Sequence, residues 1–249
     1  MLKLRINQIE SVIHLFRSIE GALWFVDQVK SGHGSIFVND IDKCKTAFMT
    51  TDSSEYFLVG DYSESFFIDA IIYIKQHIIP NLEEPIGFFY YDSNLWQQAL
   101  LDKLADYEDQ TYGRYLTRQY YRLNLSNYQS VKCTLNQLDP IYQVIIEEEN
   151  TLAVKVYYQD IEVAYAIDNG QVLGVMDIDV YTHPEHRKHG LALLTTTILI
   201  DHCLDNGIIP QWGCWTVNQA SMNLARKLGF QIVSELNVIF ANFEVLINR

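Results

Sequence analysis

Along the chain, short runs of β-branched and aromatic residues alternate with longer segments whose apolar positions recur at helical spacing. Two helices are predicted near residues 7–18 and 20–30. The SGHGS turn at 31–35 leads into SIFVND, KTAFMTT and SEYFLVG, which are bounded by turn residues and read as an antiparallel meander. SESFFIDAIIYIKQHI then places Phe67, Ile71 and Ile74 on one helical face, IGFFYY reads as a buried strand, and NLWQQALLDKLADY as another helix. The rhythm returns in the second half. TLAVKVYY, EVAYAID and QVLGVMDIDVY are predicted strands. A helix from Gly190 to about Asp205 follows, with Leu191, Leu194 and Ile198 on one face and Leu199 and Cys203 beside it. The strand IIPQWGCW, a helix from Asn218 to Leu228 and strands around QIVSEL and NVIFANF complete the chain. The repeated order predicts two halves related by an old duplication, connected through TYGRYLTRQYYRLN at 111–124, a strand with half-buried tyrosines.

Composition narrows the classes. With 249 residues and 49% hydrophobic content, the chain has ample material for packed cores. No stretch approaches the roughly 20 apolar residues of a membrane span, and MLKLRINQIE lacks the apolar centre of a signal peptide, so the expected location is cytoplasmic. Cys44, Cys133, Cys203 and Cys214 lie far apart with no CxxC spacing, which supports neither a disulfide framework nor zinc. A net charge of −13 repels phosphate backbones, disfavours nucleic acid despite the Arg and Tyr density at 111–124, and steers a cationic substrate favourably. No pattern specifies an oligomeric state.

One stretch stands out against this acidity. HPEHRKHGLA, residues 183–192, lies between a predicted strand and a predicted helix. Pro184 biases His183 toward an extended conformation. The first turn of the helix offers unpaired N–H groups and the positive end of the dipole, Arg187 and Lys188 add charge, and Gly190 and Ala192 leave the main chain approachable. A pyrophosphate fits this chemistry. The alternative is an ordinary solvated basic loop. A metal site at His183, His186 and His189 is the weaker reading, because no carboxylate or thiol cluster is near in sequence; solvated histidines are expected. Neither GxxxxGK[ST] nor GxGxxG occurs.

Arg187-Lys188-His189-Gly190-Leu191-Ala192 resembles the Arg/Gln-x-x-Gly-x-Gly/Ala motif of the GNAT superfamily of acyltransferases, and HPEHR resembles its lead-in. NQASMNLARKLGF, residues 218–230, resembles the helix and turn after the fifth strand of that fold. The whole chain is similar, more loosely, to a bacterial GNAT subgroup with an additional N-terminal domain. The resemblance implies an α/β (α+β) architecture of two mixed, mainly antiparallel sheets flanked by helices. Residues 1–122 would form a degenerate GNAT-like domain and 123–249 the acetyl-CoA-binding domain. It also implies that Arg187, Lys188, His189, Gly190, Leu191 and Ala192 hold the pyrophosphate of acetyl-CoA. Val180, Tyr181 and Thr182 would pair with the pantetheine arm, in a gap between splayed strands at 174–182 and 208–215. Asn218 would contact the arm, a role compatible with capping its helix, and Ser221 would lie near the phosphates unless it faces solvent.

The implied activity is transfer of an acetyl group from acetyl-CoA to a primary amine of a small molecule or peptide, without a metal. An amine of pKa about 10.4 must lose a proton first, which costs about 4–5 kcal/mol at neutral pH unless a base or acidic pocket assists. Two departures from the family pattern bear on this. Gly213 stands about where many relatives place an acid on the fifth strand, and Ala225 and Arg226 occur where many place a tyrosine that protonates the leaving thiolate. Asp177 and Asp179, on one face of a strand, are the remaining candidate bases, the alternative being an exposed polar face; Tyr181 is a candidate proton donor. These departures keep a non-catalytic acyl-CoA-binding module as the competing reading. Aligning Lys103-Leu104 with Lys227-Leu228 sets Asp61 and Glu64 at the corresponding helix start of the first half, where they would repel a pyrophosphate. That half is therefore expected to bind no cofactor, and to cover the cleft or serve packing.

Overall fold

The computed structural model describes residues 1–104, 114–132, 138–148 and 151–243. Residues 105–107 of the expected fourth helix, the TYG at 111–113 and Cys133 lie outside the described residues. The fold is mixed α/β, with mainly antiparallel sheets, and divides into two compact units. Unit 1 holds the described residues of Met1–Thr117 and Leu236–Arg249; unit 2 holds those of Arg118–Glu235.

The chain begins with β1 (Leu2–Lys3), a 3-10 turn at Ile6–Val12, α1 (Ile13–Phe16) and α2 (Ala22–Lys30). β2 (Gly34–Val38), β3 (Thr46–Thr51) and β4 (Glu55–Gly60) form the predicted antiparallel meander. α3 (Glu64–Tyr73) starts at Ser63, whose hydroxyl accepts the Phe66 N–H at 3.4 Å, and it returns the chain to β5 (Ile86–Tyr91), parallel to β4. After α4 (Asn94–Lys103) come β6 (Tyr115–Leu123), α5 (Leu125–Lys132), β7 (Tyr142–Glu147), β8 (Ala153–Tyr158), β9 (Ile161–Val172) and β10 (Val175–Thr182). α6 (Leu191–Asp205), β11 (Ile209–Trp215), α7 (Gln219–Lys227) and β12 (Phe230–Asn242) complete it.

Strand order in unit 1 is β1-β2-β3-β4-β5-β12, and in unit 2 it is β6-β11-β10-β9-β8-β7. Each unit shows a meander, a helix and a parallel strand in that order. The strand after each unit's last helix pairs elsewhere: β6, after α4, pairs with β11, and β12, after α7, pairs with β5. The expected boundary at residue 122 falls inside β6.

The two-residue β1, α5 and β7 were not expected, and one strand is divided. α5 has few apolar residues and is held by Tyr128, which is buried and whose hydroxyl approaches the Thr197 carbonyl at 2.9 Å and Asp201 Oδ1 at 2.8 Å; Asn124 Oδ1 accepts the Asn127 N–H at 3.0 Å. β7 is an edge strand, paired among the described residues with β8 alone. QVLGVMDIDVY is broken at Leu173 and Gly174, whose φ values of 52° and 78° form the tight turn of the β9–β10 hairpin.

The buried face of α6 also differs from expectation. Leu191, Thr195, Thr196, Leu199 and Cys203 are buried, while Leu194 and Ile198 are only half-buried. Three consecutive threonines are tolerated because their hydroxyls bond back to carbonyls of the preceding turn: Thr195 and Thr196 to Ala192, at 3.2 and 2.7 Å, and Thr197 to Leu193 at 2.7 Å.

In unit 1, the ends of β4 and β5 are tied. The pairing runs from Glu55↔Phe88 to Leu58↔Tyr91, and just beyond it Gly60 donates its N–H to Asp92 Oδ2 at 2.7 Å. The Gly60 carbonyl accepts the Trp96 Nε1–H at 2.9 Å, and Tyr62 meets the Trp96 ring edge-on at 5.0 Å. A side chain at Gly60 would meet the Lys45 carbonyl at 2.0 Å, so this close approach requires glycine. Trp96 is fully buried in the unit 1 core. Trp96→Ala is therefore expected to cost about 3–5 kcal/mol of unfolding free energy, measured by urea denaturation, and Trp96→Phe distinctly less.

Candidate functional site

The two central strands of unit 2 run together only briefly. β10 pairs in parallel with β11 at Val175↔Ile209, Met176↔Pro210 and Asp177↔Gln211. Beyond these pairs β10 stays on β9 as far as Thr182↔Ala164, and β11 stays on β6 as far as Trp215↔Arg118. A bulge marks the divergence: Asn169 and Gly170 of β9 together oppose Asp177, a local irregularity of the kind that bends a strand and increases its twist. The strands part around a cavity of about 1220 Å³, lined by residues 178–182, 186–194 and 212–215 together with Arg118, Asn218 and Ser221.

Backbone parity decides which groups face the opening. The Asp168 N–H goes to Leu152 next to β8, and the His183 N–H reaches the Val163 carbonyl at 2.8 Å. Odd-numbered residues of β9 and β10 thus face each other, and even-numbered residues of β10 turn their main-chain groups toward β11. Val180 and Thr182 lie past the last β10–β11 pair, so their N–H and C=O groups point into the gap. The Thr182 carbonyl accepts from Arg187 Nε at 3.2 Å, and the buried Thr182 hydroxyl has no hydrogen-bond partner among the described residues.

The connecting loop turns tightly into α6. A 3-10 turn at Pro184–His186 is followed by left-handed backbone at Lys188 (φ 67°) and Gly190 (φ 80°). The first bond into the helix is the Leu194 N–H to the Gly190 carbonyl at 3.0 Å, which leaves the N–H groups of Leu191, Ala192 and Leu193 as helix-start donors. A Cβ on Gly190 would meet nothing within 4 Å, so the approach to these donors is open. Arg187, Lys188 and His189 are exposed. Leu191 is 1% exposed and packs with Val156 and Ala164, so only its main chain is presented. The expectation of solvated histidines fails at His186. Its Nδ1 lies 3.1 Å from the Tyr142 hydroxyl and its ring 5.0 Å from that of Tyr158, while His189 lies 5.9 Å from Tyr142. This aromatic cluster fastens the loop to the β7–β8 hairpin, and it could not be read from sequence because β7 was not.

At the other wall, Asn218 Oδ1 accepts the Ser221 N–H at 3.0 Å, capping α7. Ser221 does not simply face solvent: its hydroxyl accepts the Trp212 Nε1–H at 3.0 Å and so fixes that ring on β11. Cys214 is buried, and burial pushes its thiol pKa up, which suits a packing residue rather than a nucleophile.

Asp177, Asp179 and Tyr181 share one face of β10. Asp179 lines the cavity; its Oδ2 accepts the Tyr165 hydroxyl at 3.2 Å and its Oδ1 accepts the Val180 N–H at 2.9 Å. Tyr165 stacks on the exposed Tyr181 at 5.6 Å. Burial and the Asp179 carboxylate both push the Tyr165 pKa up, keeping it a donor. Asp177 sits at the last β10–β11 pair. Its burial raises its pKa, against the opposing effects of the Arg118 guanidinium and the Asn169 amide, which donates to Oδ2 at 3.3 Å. Gly213 is flanked by other side chains: a Cβ there would stand 3.2 Å from Tyr120 and 3.4 Å from Arg118. Arg118 in turn lies over the rings of Tyr120 and Trp215, at 5.6 and 5.1 Å. Tyr165 and Arg118 escaped the sequence reading because only register shows which face they share with the two carboxylates.

Residues 148–239 match the family model described as GNAT acetyltransferase. The chain is 26% identical over 235 residues to the uncharacterized N-acetyltransferase YdfB of Bacillus subtilis (strain 168), covering 84% of this chain and 85% of that one. Among solved structures, it resembles a GCN5-related N-acetyltransferase-like protein from Streptococcus suis 89/1591, with TM-score 0.68, 18% identity and coverage of 94% of this chain and 98% of that one. A tandem GNAT protein from the clavulanic acid biosynthesis pathway matches with TM-score 0.63 and 9% identity, over 96% and 97% of the two chains.

The raised pKa of Asp177 means that folding favours its protonated form. The native state gains stability as pH falls through the folded pKa, and pays for the buried charge above it. Asp177→Asn is therefore expected to raise Tm at about pH 8, with the difference closing by about pH 4 as the native carboxyl protonates, measured by calorimetry across pH.

Proposed function

We propose that this chain, whose residues 148–239 match the GNAT acetyltransferase family model, transfers an acetyl group from acetyl-CoA, its acyl-donor substrate, to a primary amine of a small molecule or peptide. One observation supports this most: the early parting of β10 and β11 beside a helix start where a Cβ on Gly190 would meet nothing within 4 Å. The main-chain N–H groups from Lys188 to Ala192, the positive end of α6 and the Arg187 and Lys188 side chains hold the pyrophosphate. The pantetheine arm lies along the free edge at Val180, Tyr181 and Thr182 and takes the place of the missing strand partner, with Asn218 and Ser221 at the opposite wall.

The thioester carbonyl is directed to the Val180 N–H, a fixed donor that stabilises negative charge on the oxygen as the amine attacks. The acceptor approaches from the face holding Asp179, Asp177 and Tyr181, whose carboxylates suit an ammonium group. Asp179 lines the cavity and is the better placed base. The amine nitrogen bonds to the carbonyl carbon, the C–S bond breaks, and the proton lost by the amine finally resides on the CoA sulfur, with Tyr181 the available donor on that face. We place the protein in the bacterial cytoplasm, in keeping with its bacterial relatives. No helix among the described residues is long and apolar enough to cross a membrane. Unit 1 takes no second donor, since its corresponding strands are tied at Gly60 and its helix start carries the exposed Asp61 and Glu64.

Titration calorimetry should find one CoA bound per native chain, and thiol release from acetyl-CoA should appear with some members of a broad amine panel. Gly190→Glu places a charged side chain in the open cradle and is expected to weaken CoA binding about 100-fold or more, with the circular dichroism of the fold retained. Unchanged affinity in that variant would remove the donor site from this loop, and CoA binding without turnover across the panel would favour a binding module.

A further inference from the structure

The Val180 N–H is one of the donors aimed into the opening, and it is already engaged. Asp179 Oδ1 accepts from it at 2.9 Å, while Asp179 Oδ2 accepts the Tyr165 hydroxyl at 3.2 Å. A carboxylate on an N–H group makes a charge-assisted bond, stronger than the bond a neutral carbonyl would make to the same donor. An N–H group has one proton, so Asp179 and an incoming thioester carbonyl compete for it. The two bonds of Asp179 differ in character: one is to the edge that a ligand must use, the other to a stacked side chain on the neighbouring strand, where Tyr165 packs against Tyr181.

We propose that Asp179 is a donor-gated cap. In the resting protein its carboxylate occupies the Val180 N–H, and the carbonyl of acetyl-CoA displaces it; the carboxylate then swings off the strand edge while Tyr165 keeps it beside the cavity. The proposal rests on the donor site described above. It assigns Tyr165 a positioning role and makes the cap an element of specificity. Free CoA, whose pantetheine arm meets the Val180 carbonyl and the Thr182 edge, has no acetyl carbonyl for the Val180 N–H and leaves the cap in place, whereas acetyl-CoA must open it. The displacement makes and breaks only hydrogen bonds, so no electron or group is transferred in it. It also sets an order of events: the carboxylate becomes available to an acceptor ammonium only after the acyl group has arrived.

The test is the ratio of acetyl-CoA affinity to CoA affinity, measured by titration calorimetry without any acceptor. Asp179→Ala removes the competitor, so acetyl-CoA is expected to bind about five- to tenfold tighter than to the native chain while CoA affinity stays unchanged. Asp179→Asn keeps the size and a weaker acceptor oxygen, guards against loss of fold, and should raise the ratio about two- to threefold. Tyr165→Phe frees one carboxylate oxygen without uncapping the N–H, and should leave the ratio within about twofold of native. A ratio that stays constant or falls in both Asp179 variants, with CoA still bound, overturns the cap alone. Failure of the native chain to bind either nucleotide would instead remove the donor site, and the cap with it.

Discussion

Two parallel strands that separate after Asp177 and Gln211 leave main-chain groups of Val180 and Thr182 facing a cavity instead of each other. Backbone amides left without partners are costly when dry, and a protein that retains them must satisfy them with water, side chains or a ligand. This chain uses local substitutes at each: Asp179 at the Val180 N–H and Arg187 at the Thr182 carbonyl. The bulge at Asn169 and Gly170, the hairpin turn at Leu173 and Gly174 and the α6 start at Gly190 can all be understood as the means of creating and keeping that gap. The bulge turns β10 away, the short hairpin fixes its register, and the left-handed residues bring the helix start to its mouth.

Unit 1 shows what the same order of elements does when the gap is not kept. β4 and β5 remain paired through Leu58 and Tyr91, and a tryptophan and an aspartate then bind both main-chain groups of Gly60. The side chains that close it come from the β5–α4 connection and α4 itself, the region that in unit 2 provides Asn218 and Ser221. A single topology thus yields either an open edge or a filled core, and in unit 1 Asp92 and Trp96 close the edge.

Much of this was legible in sequence where the signal was local. The meanders, the basic loop, the Gly190 helix start and the spacing of Asp177 and Asp179 follow from periodicity and from residues whose conformational demands are strong. What escaped depended on partners that periodicity alone does not show. α5 is stabilised by one tyrosine reaching α6, β7 is an edge strand supported on one side by β8, and the buried face of α6 is set by threonines that look polar until their hydroxyls bond to their own helix. The role of Tyr165 likewise required the register of β9 on β10, and the aromatic seat of His186 required β7 to be known first.

The exchanged final strands bear on how the gene can be divided. β6 follows the last helix of the first meander yet completes the sheet of unit 2, and β12 follows the last helix of the second yet completes the sheet of unit 1. A fragment ending near residue 122 would lack the strand that covers the edge of β5, and the complementary fragment would lack the one that covers β11. Each piece would expose a long row of unsatisfied peptide groups, a template for self-association. Although duplicated in form, the protein is a single inheritable whole, and its open half cannot be harvested as an independent module by a simple cut.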